Sequence, residues 1–407
     1  PVFDRQGKLV NKFITVRNGT ADYLDIVRQG NERVLAARLA DARFFYREDL
    51  KTPLEDLLPK LEVITYHEDI GTIMAKVRRI EDLTRYLAEA IGISQEEKEQ
   101  ALRVAKIAKA DLVTSMVYEF PELQGIMGAY YARAHGEPEV ICVGIIEHYL
   151  PKFPGDELPQ GIAGWLVSMA DKLDTIVGCF SVGIQPTGSQ DPYALRRQAL
   201  AICHMLLARA TELTVDQLLE VAYDRLCQDI NPKLPRETAL KDLKEFFLQR
   251  MRNILTDKGH RYDVVEAVLA PGKTKLGNIV KWAEALTGFR RETTFNSLLT
   301  GFNRASNLAK KGQGGLVRED LLQEAAETEL YQAFLQVKSK VDLLVEQGEY
   351  MEALNRLAHL QEPIDRFFAD IMVMVEDEEI KSNRLALLNS ITQYVKDKVD
   401  LTRIVTD

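Results

Sequence analysis

The sequence predicts an all-α multidomain protein with a small β segment at its N-terminus. The strongest helical signal is residues 161–183, where apolar side chains recur at helical spacing over a length that suits one long helix. Strand-like residues 2–3 and 9–10 flank a turn, which predicts a hairpin. No strand signal of any length follows Asn18, so we expect the rest of the chain to be helical.

Further helices are predicted from the same periodicity and from signals at helix ends. Ser94 and Glu97 have the spacing of a capping box. Pro151 ends one helix, and Asp191 before Pro192 is typical of the N-cap and first turn of another. Beside residues 161–183 and two helices between 215 and 254, we predict helices within residues 22–45, 53–65, 71–92, 95–115, 139–149, 318–347, 351–360 and 383–397.

Composition places the chain among globular proteins. It has 407 residues, of which 46% are hydrophobic and 28% are charged, and its net charge is −9. The four cysteines form no CxxC pair, which favours reduced thiols and a cytoplasmic location. No apolar run reaches the ~18 residues that span a membrane, so we expect no membrane partner.

One segment is basic within this acidic chain. Residues 250–311 hold twelve Lys or Arg and five acidic residues, a balance of +7. Such a segment is typical of a surface that faces phosphates. An equally open alternative is that these side chains only solvate helix faces.

A carboxylate, Asp171, lies inside the apolar stretch 161–183 and needs either a partner or a chemical role. His148 stands at a predicted helix end, where a charged imidazole would favour the helix dipole. The order of Asp111, His148 and Asp171 resembles the HD-domain phosphohydrolases over residues 71–183. In that family, histidines and aspartates bind divalent metal.

The chain departs from that pattern where the chemistry requires it. The family's first histidine falls near Lys76, and its His-Asp pair is Ala110-Asp111 here. Asp111 and Asp171 alone are an incomplete ligand set for a hydrolytic metal. We therefore predict an inert HD-like scaffold without metal, and an active HD-type metal-dependent phosphohydrolase is the alternative.

Several longer strings are similar to the β subunit of bacterial heterotetrameric glycyl-tRNA synthetase. They are residues 30–35, 38–45, 109–112, 119–125, 170–175, 186–188, 191–197, 365–374 and 383–388. The resemblance implies a hairpin remnant at 1–18, an HD-like domain at 19–212, a helical body at 213–294 and an anticodon-binding domain at 295–407. It also implies that Pro1 lies inside a longer chain, because the family's β subunit has more sequence before this point.

The resemblance further implies a tRNA-binding chain without catalytic residues or bound cofactor. The ligase reaction, with its ATP and Mg, belongs to the α subunit, and the partners are that subunit in an α2β2 assembly and glycine tRNA. A helical RNA-binding adaptor with no synthetase role is a third hypothesis. The residues chosen for tRNA contact are Arg196, Arg197, Lys273, Lys275, Arg290, Arg291, Arg318, Asn383 and Arg384.

Two alternatives stay open for the arginine pair. Arg196 and Arg197 either bind phosphate or pair with Asp171 or Asp174 as a structural lock. In the tail, Arg318, Asn383 and Arg384 have the chemistry to read splayed anticodon bases.

Overall fold

A computed structural model describes residues 1–20, 22–209, 211–312 and 314–405, and these are predominantly α-helical. The first helices are α1 (Leu24–Asp49), α2 (Leu54–Leu57), α3 (Ile73–Ile91), α4 (Gln95–Ile107), α5 (Ser115–Glu119), α6 (Ile126–Ala134), α7 (Glu139–Glu147), α8 (Ile162–Ser181) and α9 (Leu195–Ala208). The others are α10 (Val215–Leu226), α11 (Arg236–Asp257), α12 (Tyr262–Leu269), α13 (Leu276–Phe289), α14 (Phe295–Ala309), α15 (Ala325–Gln347), α16 (Tyr350–Ala358), α17 (Gln361–Asp370) and α18 (Glu378–Lys396). The all-α prediction is confirmed.

Two short antiparallel hairpins accompany the helices. Strands β1 (Val2–Phe3) and β2 (Leu9–Val10) pair as predicted. A second hairpin, β3 (Thr65–His67) with β4 (Gly71–Thr72), corrects the prediction that no strand follows Asn18. Strands β3 and β4 flank the charged residues 68–69, and no alternating apolar pattern marks them in the sequence.

Helix α8 is the centre of the first half of the molecule. It packs against α3, α4, α7, α9, α10 and α11, and eighteen of its residues are buried. The segment that leads into α8 is held by Glu147 of α7, whose carboxylate accepts hydrogen bonds from the backbone N–H groups of Gln160 at 2.9 Å and Gly161 at 3.0 Å. A Cβ on Gly164 would lie 2.4 Å from Oε2 of Glu147, so the close approach of α7 and α8 requires glycine there.

Helix boundaries confirm some start signals and correct others. The Ser94–Glu97 capping box is present at α4. Helix α9 begins at Leu195, three residues after the expected position, and Asp191 accepts hydrogen bonds from the N–H groups of Leu195 at 2.7 Å and Arg196 at 3.0 Å. Asp191 therefore caps this helix from a preceding turn, because its side chain reaches the N–H groups that the helix leaves unpaired.

Helix α1 overlaps the predicted helix within 22–45, but its apolar side chains face solvent. It has no buried residue, and Leu24, Val34 and Leu39 are each more than half exposed. Its C-terminal end is attached to the body through Asp49, which accepts hydrogen bonds from the N–H groups of Ser115 and Met116, each at 2.9 Å.

The second half of the molecule packs helix on helix. Helix α14 contacts α17 and α18, α15 contacts α16 and α17, and α13 contacts α16. The fully buried Asp263 of α12 accepts a hydrogen bond from the N–H of Val405 at 3.0 Å, which fastens the last described residues to the middle of the chain. Among the described helices, none combines the length and apolar character needed to cross a membrane.

Candidate functional site

Asp171 of α8 lies between two lysines. Nζ of Lys76 is 2.8 Å from its Oδ1, and Nζ of Lys109 is 2.6 Å from its Oδ2. Burial opposes the charged carboxylate, but the two ammonium groups hold the pKa of Asp171 well below its usual range. The partner that Asp171 needed is therefore this pair of lysines, which the sequence analysis did not identify.

A second buried carboxylate extends the network along α8. Asp174 is 3.0 Å from Nζ of Lys76 and 2.5 Å from Nε of Arg79, and all three side chains are almost completely buried. Lys76 also donates to the hydroxyl of Thr175 at 2.8 Å. These contacts tie α3 to α8 through charges that satisfy one another inside the core.

Asp111 lies in the short 3-10 turn Ala110–Val113 and is completely buried. Its Oδ2 accepts hydrogen bonds from the N–H groups of Gly125 at 2.6 Å and Gly128 at 3.1 Å, whereas Oδ1 has no hydrogen-bond partner in the described chain. Burial raises the pKa of Asp111 to about 6, although the two N–H groups oppose that shift.

His148 and Tyr149 follow α7 and face the same region. Nδ1 of His148 is 2.5 Å from the carbonyl oxygen of Ile145, and burial lowers the pKa of the imidazole well below its usual range. This corrects the helix-dipole prediction, which needed a charged imidazole. Nζ of Lys109 lies 4.2 Å from the centre of the Tyr149 ring, a cation–π geometry.

The residues at the HD-like positions do not fit a divalent metal. Both carboxylate oxygens of Asp171 bind ammonium groups, and Lys76 stands where the resemblance places a histidine. Within the described ranges, no group of three or more His, Cys, Asp or Glu side chains could hold a metal ion. Two ammonium groups here take the position beside the carboxylate that a cation would need.

Arg196 and Arg197 were expected either to bind phosphate or to pair with Asp171 or Asp174. Asp171 and Asp174 are held by Lys76, Lys109 and Arg79, and neither carboxylate forms a described ion pair with Arg196 or Arg197. Arg197 is exposed and lines a cavity that also reaches Asp171. In the described chain the structural lock is therefore not observed for Arg196 or Arg197, and phosphate binding stays a prediction.

The residues chosen from the basic segment differ in their surroundings. Lys275 is 2.5 Å from a carboxylate oxygen of Glu212, and Nη1 of Arg290 is 3.1 Å from the buried Asp263. Lys273 and Arg291 are exposed. The segment therefore supplies part of its charge to ion pairs within the chain, one at the surface and one with a buried carboxylate, and Lys273 and Arg291 present theirs to solvent.

The three tail residues are also unequal. Asn383 and Arg384 of α18 are buried. Asn383 exchanges two hydrogen bonds with the backbone of Arg318, at 2.7 and 3.0 Å. The guanidinium of Arg384 pairs with the fully buried Glu327 and donates to the carbonyl of Met372 at 2.9 Å. Their contacts support the fold of the tail, whereas the exposed side chain of Arg318 reaches Asp320 at 2.8 Å.

Comparison with known proteins defines the class. Residues 298–406 match the DALR anticodon binding domain, and residues 1–270 match the family described as glycyl-tRNA synthetase beta subunit. The second match covers most of the chain. The chain belongs to the glycyl-tRNA synthetase beta subunit family.

Curated relatives carry the corresponding name. The chain is 48% identical to the glycine–tRNA ligase beta subunit of Desulforamulus reducens and 45% identical to that of Moorella thermoacetica, over all of its 407 residues. It is 45% identical over 401 residues to that of Clostridioides difficile. The chain spans about three fifths of the length of these relatives: 59%, 59% and 58%.

Proposed function

We propose that this chain is the tRNA-holding part of a glycine–tRNA ligase β subunit. The ligase attaches glycine to its tRNA, and the partner α subunit uses the ATP and Mg of this reaction. The two chains form an α2β2 assembly in the cytoplasm. The β chain contributes grip and orientation of the tRNA. No observation favours the HD-type phosphohydrolase, and the family match separates this proposal from a free-standing RNA adaptor.

One observation carries this proposal: a single chain joins the beta-subunit segment to a DALR anticodon binding domain. Exposed cations on both parts support it. Arg197, Lys273 and Arg291 are suited to tRNA phosphates, a contact that fixes register without reading sequence. Arg318 has the planar guanidinium that stacks on or hydrogen-bonds to bases in the anticodon region.

The test is binding of glycine tRNA to the full-length β chain with its α partner across a salt series. We expect a steep decrease of affinity with salt and a loss of about 1–3 kcal/mol for each altered anticodon base that the protein reads. Equal affinity for glycine tRNA and for the same tRNA with an altered anticodon, at every salt concentration, would contradict anticodon reading by this chain.

Matched variants locate the contact. Lys273→Ala and Arg291→Ala should each reduce the magnitude of the salt slope by about one unit, since each removes one phosphate contact. Lys60→Ala removes an exposed charge from the short turn Leu58–Val63 and is the control for general loss of positive charge. A slope equally reduced in all three variants would indicate non-specific attraction.

A further inference from the structure

A cavity of about 480 Å³ opens beside the Asp171 cluster. Its walls come from β3, α3, α8, α9 and the segments that follow α4, α5 and α7. Its volume lies in the range of small-molecule sites, which is about 300–1,000 Å³. The ion pairs of Asp171 and Asp174 leave this space open to a ligand.

The lining of the cavity carries excess positive charge. Five cationic side chains face two carboxylates, Glu122 and Asp171. The cations are Lys76, Lys109, Lys152, Lys172 and Arg197. Burial lowers the pKa of Lys172 to about 7, so this lysine is partly neutral near neutral pH. An excess of two to three charges matches a dianion, such as a phosphate monoester above its second pKa of ~6.

The cations differ in their capacity for a ligand. Lys76 donates to Asp174, Thr175 and the main chain of Asp171, so its hydrogens are engaged. In the described part of the chain, Lys109 donates to Asp171 alone, which leaves two of its three N–H groups. Arg197 forms no ion pair with another described side chain. Lys109 on the floor and the exposed Arg197 and Lys152 on the rim are therefore the donors that an anion would meet.

Two buried polar atoms of the lining have no hydrogen-bond partner among the described residues. They are Nε2 of His148 and the hydroxyl of Tyr149. A carbonyl only accepts, so Nδ1 of His148 carries the hydrogen that it donates to Ile145, and Nε2 presents a lone pair. His148 has no exposed surface. Unpaired buried groups are costly, and a ligand hydroxyl would satisfy Nε2.

We propose that this cavity binds a phosphate monoester with a hydroxyl-bearing sugar, the chemistry of a nucleoside monophosphate. Lys109 and Arg197 hold the phosphate, Nε2 of His148 accepts from a sugar hydroxyl, and the Tyr149 hydroxyl supplies a further hydrogen bond. Two sources share this chemistry: a free nucleotide and the 5′-phosphorylated end of a tRNA.

The test is titration of the full-length chain, without the α partner that uses ATP, with adenosine 5′-monophosphate. We expect saturable binding, and no binding of adenosine. Arg197→Gln and Lys109→Met should each weaken binding about tenfold or more, because each removes a charge-assisted hydrogen bond. Lys60→Gln is the matched control and should leave the affinity unchanged. The ¹⁵N resonance of Nε2 of His148 should shift on binding.

Arg197→Gln keeps the experiment decisive if Lys109→Met unfolds the chain, since Arg197 is exposed. Absence of saturation at millimolar nucleotide, or equal affinity of wild type and Arg197→Gln, would overturn the proposal. Competition by glycine tRNA that is lost on removing its 5′-phosphate would identify the tRNA end as the source. Absence of competition by the tRNA, with intact nucleotide binding, would identify a free nucleotide as the source. The salt slope of tRNA binding in Lys273→Ala and Arg291→Ala tests the proposed function separately.

Discussion

Nζ of Lys109 lies 2.6 Å from Oδ2 of Asp171, and the same nitrogen lies 4.2 Å from the centre of the Tyr149 ring. One ammonium group thus joins the segment after α4, the end of α7 and the middle of α8. Since Lys76 holds the other oxygen of Asp171, the carboxylate is the counter-ion of two buried cations. Loss of this carboxylate should therefore weaken the packing of α8 against α3 and against the segments that follow α4 and α7.

Asp171→Asn tests this dependence. The amide leaves the buried ammonium group of Lys109 without a carboxylate partner and leaves Lys76 with Asp174 alone, so we expect the free energy of unfolding to decrease by about 3–5 kcal/mol. Adding Lys109→Met removes the stranded charge. The double variant should lose less than the sum of the single variants, with a coupling of about 1–3 kcal/mol. Urea unfolding of the four proteins gives the coupling, and strict additivity would show that the pair does not interact energetically.

The raised pKa of Asp111 predicts a pH effect. Its folded-state pKa is about 6 and its ordinary value is 3.8, so the folded state binds the proton more tightly. This contribution to stability is complete below about pH 4 and is lost as pH rises through 6, by up to about 3 kcal/mol. Asp111→Asn should lack this dependence. The difference in unfolding free energy between the two proteins, measured from pH 4.5 to 7, should change in favour of the asparagine as pH rises.

Asp111→Ala is the control for the hydrogen bonds. It leaves the N–H groups of Gly125 and Gly128 without an acceptor, so it should destabilise by about 1–3 kcal/mol at every pH. If wild type and Asp111→Asn showed parallel pH curves, the carboxyl would titrate normally in the folded protein.

Gly164→Ala tests the contact between α7 and α8. The added methyl group would lie 2.4 Å from Oε2 and 2.5 Å from Cβ of Glu147, so we expect a loss of about 1–3 kcal/mol. Gly277→Ala in α13 is the matched control, because its methyl group would meet no atom within 4 Å. There we expect a gain of about 0.5 kcal/mol. Thermal unfolding of both variants distinguishes the crowded position from the open one.

The tail offers a contrast between a structural arginine and an exposed one. Arg384→Met leaves Glu327 charged and fully buried, so the free energy of unfolding should fall by about 3–5 kcal/mol. Arg318→Ala should leave the unfolding midpoint almost unchanged and weaken tRNA binding severalfold, most of all for the cognate anticodon. Unfolding and tRNA binding are measured on both variants. Full stability of Arg384→Met with lost anticodon discrimination would assign base reading to Arg384.

The site shows how far residue patterns alone could lead. The sequence indicated that Asp171 needs a partner, but it could not identify Lys76 or Lys109, which lie 95 and 62 residues away. A lysine at helical spacing on α3 has the same local pattern whether it faces solvent or the core. Likewise, Arg384 and Arg318 are both arginines in polar surroundings, and only packing separates the buried ion pair from the exposed side chain.

The sequence by itself determined the helical class, the N-terminal hairpin, the central helix α8 and the family, because periodicity, capping residues and long strings are local properties of the chain. The tertiary structure decided which charges are internal counter-ions and which face solvent. It also decided the second hairpin, the exposure of α1 and the cavity beside Asp171. These depend on the approach of distant segments, and the energy of a charge is set by the burial and the partners that this approach creates.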